Sequence, residues 1–362
     1  MKYVLSHATA LWVLATLADA GGRTSIPPAS ELATLDEASC SIGTDGRDVE
    51  GLQARLLELL GMRELPRRID VLVDSSSKRL RSRHLAPHCW SGKVSSGSLV
   101  SLGDGLWASS PEFCFLQLAG ELPLVDLILL GYCLCGKYFP SCTEKGFVAT
   151  GGITTIERIQ AFLDAQEPGA YGLRKAQKAL RWVLDNSWSP MESRSALVMI
   201  LSRSLGGYGL ERPVLNQVVW LSEGAAAIAS CPYYVIDIYW EKAHWAMEYD
   251  GPEFHKRLMR DIQRDLALMH DGITLQHATA TQIRDERQLS EMVRQLSKRL
   301  DKRLRRPPKG TAAKRHRLMK GLFPEVAFLP DGKVAFEKPM WALPGECLAC
   351  EREECRGWWL AA

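Results

Sequence analysis

Tyr233-Tyr234-Val235-Ile236-Asp237-Ile238-Tyr239-Trp240 and, after Glu241-Lys242-Ala243, His244-Trp245-Ala246-Met247-Glu248-Tyr249-Asp250-Gly251 form the stretch that decides the fold. Both runs are short, rich in β-branched and aromatic residues, and bounded by turn-forming residues, which predicts two neighbouring strands. The period of two along a strand puts Val235, Asp237 and Tyr239 on one face. In the second strand Ala246, Glu248 and Asp250 share a face. With Lys242-Ala243 at the tip of the turn, Asp237 and Glu248 stand opposite each other, about 5 Å apart at Cβ. Two carboxylates that close repel unless a cation offsets them. Mg²⁺, with Mn²⁺ as its substitute, takes such hard oxygen ligands and keeps several waters. The plainer alternative is a pair of solvated hairpin residues. Against it, both acids lie inside apolar runs.

Working outward, Ser189-Pro190-Met191-Glu192 carries the cap and first-turn residues of a helix running to about Leu205, where Gly206-Gly207 stops it. Leu173–Asn186 has the spacing of an amphipathic helix, and Val214–Leu221 reads as a strand. Beyond the acidic pair come a helix over Glu253–His270, a strand over Ile273–Ala278 and a long basic helix over Thr281–Leu304. The order α-β-β-β-α-β-α predicts an α/β (α+β) domain with a mixed central sheet flanked by helices, spanning residues 173–306.

That order and those acids resemble the PD-(D/E)xK, or restriction-endonuclease-like, superfamily. Glu248-Tyr249-Asp250-Gly251, then His255, Asp261 and Arg264, are similar to the E-x-D-G…H…D…R pattern of the DUF559 domains, relatives of very-short-patch repair nucleases. Ser189…Glu192 and Asp237 match that group's upstream helix and strand aspartate. The resemblance implies a Mg²⁺-dependent endonuclease that hydrolyses DNA phosphodiesters by in-line attack of water. Asp237 and Glu248 would ligate the metal, with Asp250, Glu192 and His255 assisting. Glu192 carries two readings: a third acid at the metal, or the return half of a capping box with Ser189. The superfamily's usual lysine, two residues after the second acid, is Asp250 here. His255, Lys256 or Arg264 on the following helix would have to compensate, although Asp261 and Arg264 also fit a helical ion pair. Leu275-Gln276-His277 stands where relatives often place an arginine. The lysine's absence keeps a second function class open: a non-catalytic DNA-binding or antitoxin-like regulator on a nuclease scaffold.

Residues 1–172 form a separate, smaller mixed α+β region by the same reasoning. Ile69–Asp74 alternates as a strand, and Val94–Ala108 reads as short strands around a turn at Gly103-Asp104-Gly105. Ser110-Pro111-Glu112 opens a helix through Glu121, Leu122–Leu134 is a buried helix, and Thr155–Asp164 has helical spacing. Around Arg83–Gly136 the sequence is weakly similar to AbiEi-type antitoxins, in which a winged-helix-like module precedes a longer region. This resemblance implies DNA or a partner protein, a homodimer included, in a phage-defence or toxin–antitoxin setting.

The 362 residues carry a net charge of only +3, too little by itself to imply a nucleic-acid partner. The distribution says more. Lys298, Arg299, Lys302, Arg303 and further basic residues to Lys320 form a run that can neutralise phosphates; with Lys256 and Arg264 they are the candidate DNA contacts. A solvated helix end and a basic linker over 307–362 explain the same run.

Of the ten cysteines, Cys347, Cys350 and Cys355 sit at a spacing that can clamp structural Zn²⁺, with the fourth ligand, His316 for example, coming from elsewhere; free thiols are the alternative. No apolar run approaches the roughly 20 residues needed to span a bilayer. The start, Met1-Lys2 followed by Ala10–Leu17, loosely mimics a signal peptide but reads as an amphipathic helix ending at Gly21-Gly22. The chain is expected to be cytoplasmic.

Overall fold

The structure, a computed structural model, describes residues 3–19, 49–60, 65, 68–78, 84–92, 94–140, 147–250, 258–301 and 309–323. It is a mixed α/β protein with two open mixed sheets of five and four strands. Two compact units meet in sequence at Val183 and Leu184.

The first unit is built on β1 (Tyr3–Leu5), β2 (Ile69–Val73), β3 (Leu85–Cys89), β4 (Leu99–Ser101) and β5 (Leu106–Ser109), in the order β3-β2-β1-β5-β4. The three-residue β1 is central, parallel to β5 and antiparallel to β2. From β1 the chain enters α1 (His7–Asp19), which differs from the expected amphipathic helix: Leu11, Val13, Leu14 and Leu17 are all buried, and so are Ala8, Thr9, Ala10 and Ala15. Each such leucine contributes about 1.5–3 kcal/mol by leaving water. Gly21 and Gly22 lie outside the described residues. After α2 (Val49–Leu60) and the sheet come α3 (Pro111–Ala119), α4 (Leu124–Cys135), the hairpin β6 (Tyr138–Pro140) and β7 (Phe147–Ala149), α5 (Ile156–Asp164) and α6 (Leu173–Leu180). Ser110 and Thr155 cap α3 and α5 by accepting the amides of Phe113 and Arg158. The turn at Gly103-Asp104-Gly105 has positive φ at all three residues. Helix α6, expected to open the following domain, packs on α3, α4 and α5 inside the first unit.

The second unit contains α7 (Pro190–Ile200), β8 (Val214–Trp220), α8 (Glu223–Ala229), β9 (Tyr233–Trp240), β10 (Trp245–Asp250), α9 (Leu258–His270), β11 (Thr274–Thr279), α10 (Ala280–Arg284), α11 (Glu286–Arg299) and α12 (Thr311–Leu322). Its sheet order is β11-β10-β9-β8. The β8/β9 and β9/β10 pairs are antiparallel, while β10/β11 is parallel and bridged by α9. Ile236, Tyr239 and Ala246 pack with Leu268 of α9 and Ile273, which fixes α9 against the sheet.

Three details depart from expectation. Helix α8 enters between β8 and β9, capped by Ser222 and laid on α9 through Ala225, Ala229 and Ala267. The long helix over Thr281–Leu304 is broken at Asp285, whose carboxylate accepts the amides of Arg287 and Gln288 at 2.8 and 3.1 Å and so starts α11 afresh. Part of the stretch expected as a basic linker is α12, which buries Leu318, Met319 and Leu322; its Arg315 donates to the carbonyls of Gly206 and Gly207 and lies 3.7 Å over the Tyr208 ring.

Candidate active site

The strand register assembles the site. Backbone pairs Leu215↔Ile238 and Gln217↔Ile236 leave Asn216 opposite Asp237. Met247↔Ile238, carried one step further, sets Glu248 opposite Asp237, and Glu248 pairs with His277. A row therefore crosses all four strands: Asn216, Asp237, Glu248, His277. The facing acids expected from the hairpin are in place.

Between β9 and β10 the backbone ladder ends at Ile238 and Met247, and carboxylates take over. The Asp237 amide donates to Glu248 Oε1 at 3.3 Å, and the Tyr249 amide donates to Asp237 Oδ2 at 2.9 Å. Among the described residues no donor reaches Asp237 Oδ1 or Glu248 Oε2. These two oxygens are free for a ligand.

Arg264, one turn before Leu268 on α9, brings its guanidinium to the row. Its Nη2 donates to Glu248 Oε1 and, at 2.9 Å, to the carbonyl of Val235; the group lies 5.4 Å over the Tyr234 ring. Its Nε is buried and has no hydrogen-bond partner among the described residues. The expected partner Asp261 has a side chain outside the described residues, and Glu248 is the acid that Arg264 meets. His277 ties in the rest of the row: Nδ1 lies 3.1 Å from Asp250 and Nε2 3.1 Å from Asp265.

Glu192 joins from α7. Ser189 Oγ accepts the Glu192 amide at 3.2 Å, as a capping box requires. The return bond lands elsewhere: Glu192 Oε2 accepts from the Trp188 amide at 2.9 Å and the Asn216 carboxamide at 2.6 Å. Asn216, at φ +48°, turns its side chain to reach both Glu192 and the carbonyl of Asn186. Glu192 is thus a buried cap that also feels the charge of Asp237.

The electrostatics are those of crowded acids. Burial, followed by the charge of Asp237, pushes Glu248 up to about 8, outweighing Arg264. Burial also raises Asp237 and Glu192. Burial pulls the His277 ring down, but its bonds to Asp250 and Asp265 prevail and leave it above the ordinary value. Burial first, and the mutual charge of the acids second, thus oppose ionisation along the row.

This has a sign that can be measured. Glu248 holds its proton to about pH 8 when folded but releases it near 4.5 when unfolded. Its contribution to stability is complete below pH 4.5 and is lost as pH rises to about 8, with a limiting slope near 1.4 kcal/mol per pH unit. His88 and Asp126, raised to about 9 and about 7, act in the same sense. Urea melts in chelator at pH 5 and pH 8 are expected to show a lower midpoint at pH 8, with a smaller drop in Glu248→Gln. Equal drops in the two proteins would contradict this assignment.

Lys298 and Arg299 are exposed on the last turn of α11; no hydrogen bond or ion pair joins them to the row among the described residues. His255, Lys256, Lys302, Arg303, Cys347, Cys350 and Cys355 lie outside the described residues. Asn216, His277 and Asp265 are site residues that the sequence reading did not select. Only His277 carried a signal, by its place on the last core strand. No helix among the described residues is long and apolar enough to cross a membrane. Comparison with known protein families, with curated proteins and with solved structures finds no match for this chain.

Proposed function

We propose that the second unit is a divergent PD-(D/E)xK domain acting as a Mg²⁺- or Mn²⁺-dependent DNA endonuclease. The observation that carries this reading is the pair Asp237 and Glu248, side by side at the end of the β9/β10 ladder, each with one carboxylate oxygen that no donor among the described residues reaches. All donors in the set are carboxylate oxygens, which suits a hard divalent ion. The mutual repulsion of Asp237 and Glu248 gives that ion a reason to bind. Asp237 and Glu248 would hold it, with Glu192 and Asp250 assisting from further back through Asn216 and His277.

When bound, the ion would supply Lewis acidity toward a phosphate oxygen and toward water. The chain's own residues do the rest. Glu248 and the carbonyl of Val235 orient Arg264, whose guanidinium charge would act across the row on charge developing at the phosphate. Arg264 thereby takes the part of the lysine that Asp250 replaces. Asp250 and Asp265 hold the His277 ring and favour its charged form. In the overall hydrolysis, water oxygen adds to phosphorus, one phosphorus–oxygen ester bond breaks, and the departing oxygen gains a proton. Exposed Lys298, Arg299, Arg317 and Lys320 supply cationic surface for the DNA backbone. A cytoplasmic role in phage defence or a toxin–antitoxin pair, with a partner protein or a second copy, fits this chemistry.

One observation favours the non-catalytic regulator: Arg264 already offsets Glu248, so the row is partly neutralised without metal. Supercoiled plasmid separates the two. Conversion to nicked circles with Mg²⁺ or Mn²⁺, blocked by chelator, is the expected result. A shifted plasmid that stays supercoiled in either metal would overturn the enzyme and leave the regulator.

A further inference from the structure

A second polar constellation lies in the first unit, where the acidic row plays no part. His7 is the first residue of α1, His88 lies on β3, and Glu121 follows α3. Among the described residues this is the one group of three metal-capable side chains whose donor atoms all lie within 4.8 Å of one another. His7 Nε2 is 3.5 Å and His88 Nδ1 3.4 Å from the same oxygen, Glu121 Oε1. Zinc–ligand bonds of about 2.0–2.1 Å in a tetrahedron put neighbouring donors about 3.4 Å apart. The two edges match that spacing.

We propose that His7, His88 and Glu121 form a binding site for a divalent transition metal, with zinc as the natural occupant. Two imidazoles with one carboxylate select zinc-like ions over Mg²⁺ or Ca²⁺, which prefer all-oxygen shells.

The surroundings are those of a built site. His88 Nε2 contacts Asp70 Oδ1 at 2.8 Å, which sets the ring so that Nδ1 faces Glu121. Asp70 is itself fixed, with Oδ2 accepting from the Thr9 amide and hydroxyl at 3.3 and 3.0 Å. On the other ring, Nδ1 of His7 contacts Ser6 Oγ at 3.0 Å and leaves Nε2 toward Glu121. The His7 backbone is held at φ +49°, a conformation that side chains rarely adopt, and its amide donates to the buried Gln117 Oε1 at 3.1 Å.

The two rings are stacked, with centroids 3.6 Å apart and planes inclined by 24°. Binding opens this stack so that both lone pairs converge on the ion. His88 and Glu121, with side chains 24% and 37% exposed, have room to turn. The same exposure leaves a fourth coordination position facing solvent. Three protein ligands with one open position are the arrangement of a site that takes water or a small anion, not of a closed structural knot.

The test uses the full chain with Cys347→Ser, Cys350→Ser, Cys355→Ser and Asp237→Asn, so that neither the tail nor the acidic row competes. Stripped of metal, incubated with zinc chloride and desalted, this protein is expected to retain about one zinc per chain. Absorption at the zinc edge should show nitrogen and oxygen neighbours with imidazole scattering and no sulfur. Adding Glu121→Gln or His88→Gln should weaken zinc at least about tenfold while circular dichroism stays unchanged. Background protein that retains no zinc, or equal retention in both variants, overturns the site. Should one variant misfold, the other decides; should both, imidazole scattering in the parent decides alone, and its absence rejects the proposal.

Discussion

Asp237→Asn is expected to abolish metal-dependent nicking, with a loss of about 1,000-fold or more, while plasmid binding persists. The amide keeps an oxygen that can accept from the Tyr249 amide, so the hairpin stays closed. It removes the charge that would draw a cation to the row. A lost metal ligand forfeits several kcal/mol of transition-state stabilisation, and about 1.4 kcal/mol corresponds to each factor of ten in rate. Measured by single-turnover cleavage over a Mg²⁺ titration, the loss should persist at saturating metal. Cleavage equal to that of the parent would show that the observed nicking comes from elsewhere.

Replacing Arg264 by methionine should lower the cleavage rate by about 100–1,000-fold and destabilise the metal-free protein by about 3 kcal/mol or more. Two effects add. The phosphate would lose a cation of the row, and Glu248 is left buried beside Asp237 without its ion-pair partner, offset only by His277 and the Asp237 amide. Mg²⁺ should restore much of the stability and little of the rate. Arg264→Lys, which keeps the charge but not the planar guanidinium over the Tyr234 ring, should recover stability before activity. The readouts are a urea midpoint with and without Mg²⁺ and the cleavage rate at saturating metal. A stable but inactive methionine variant whose midpoint ignores Mg²⁺ would confine Arg264 to contacts with DNA.

The sheet of the second unit was legible because β8, β9 and β10 are compact runs rich in β-branched and aromatic residues, β9 and β10 share a short turn, and β11 follows the turn after α9. From that turn the facing of Asp237 and Glu248 follows by counting. The helix α8 was not legible: Glu-Gly-Ala-Ala-Ala-Ile-Ala offers almost no periodic contrast. The break at Asp285 escaped because helical spacing continues on both sides of the cap. In α12 the basic residues mask the spacing of Leu318, Met319 and Leu322. The strand β1 is three residues long, and its role comes entirely from its neighbours β2 and β5. Within the site, Arg264 meets Glu248 because of how α9 is rotated over the sheet, and local sequence does not encode that angle. Glu192 illustrates the same limit. Its cap was readable from Ser189, but its bond to Asn216 depends on a left-handed residue on strand β8.

The end of the β9/β10 ladder has a consequence for how such a protein could change over generations. There the acids are also the acceptors that replace missing backbone partners, Glu248 for Asp237 and Asp237 for Tyr249. A lineage that abandoned phosphodiester chemistry would still suffer from losing either side chain, because two amides at the mouth of the hairpin would open. Selection for folding alone can therefore preserve both acids. The presence of both acids in a descendant would then record the shape of the sheet as much as any chemistry, because Glu248 Oε1 and Asp237 Oδ2 are the oxygens that close it.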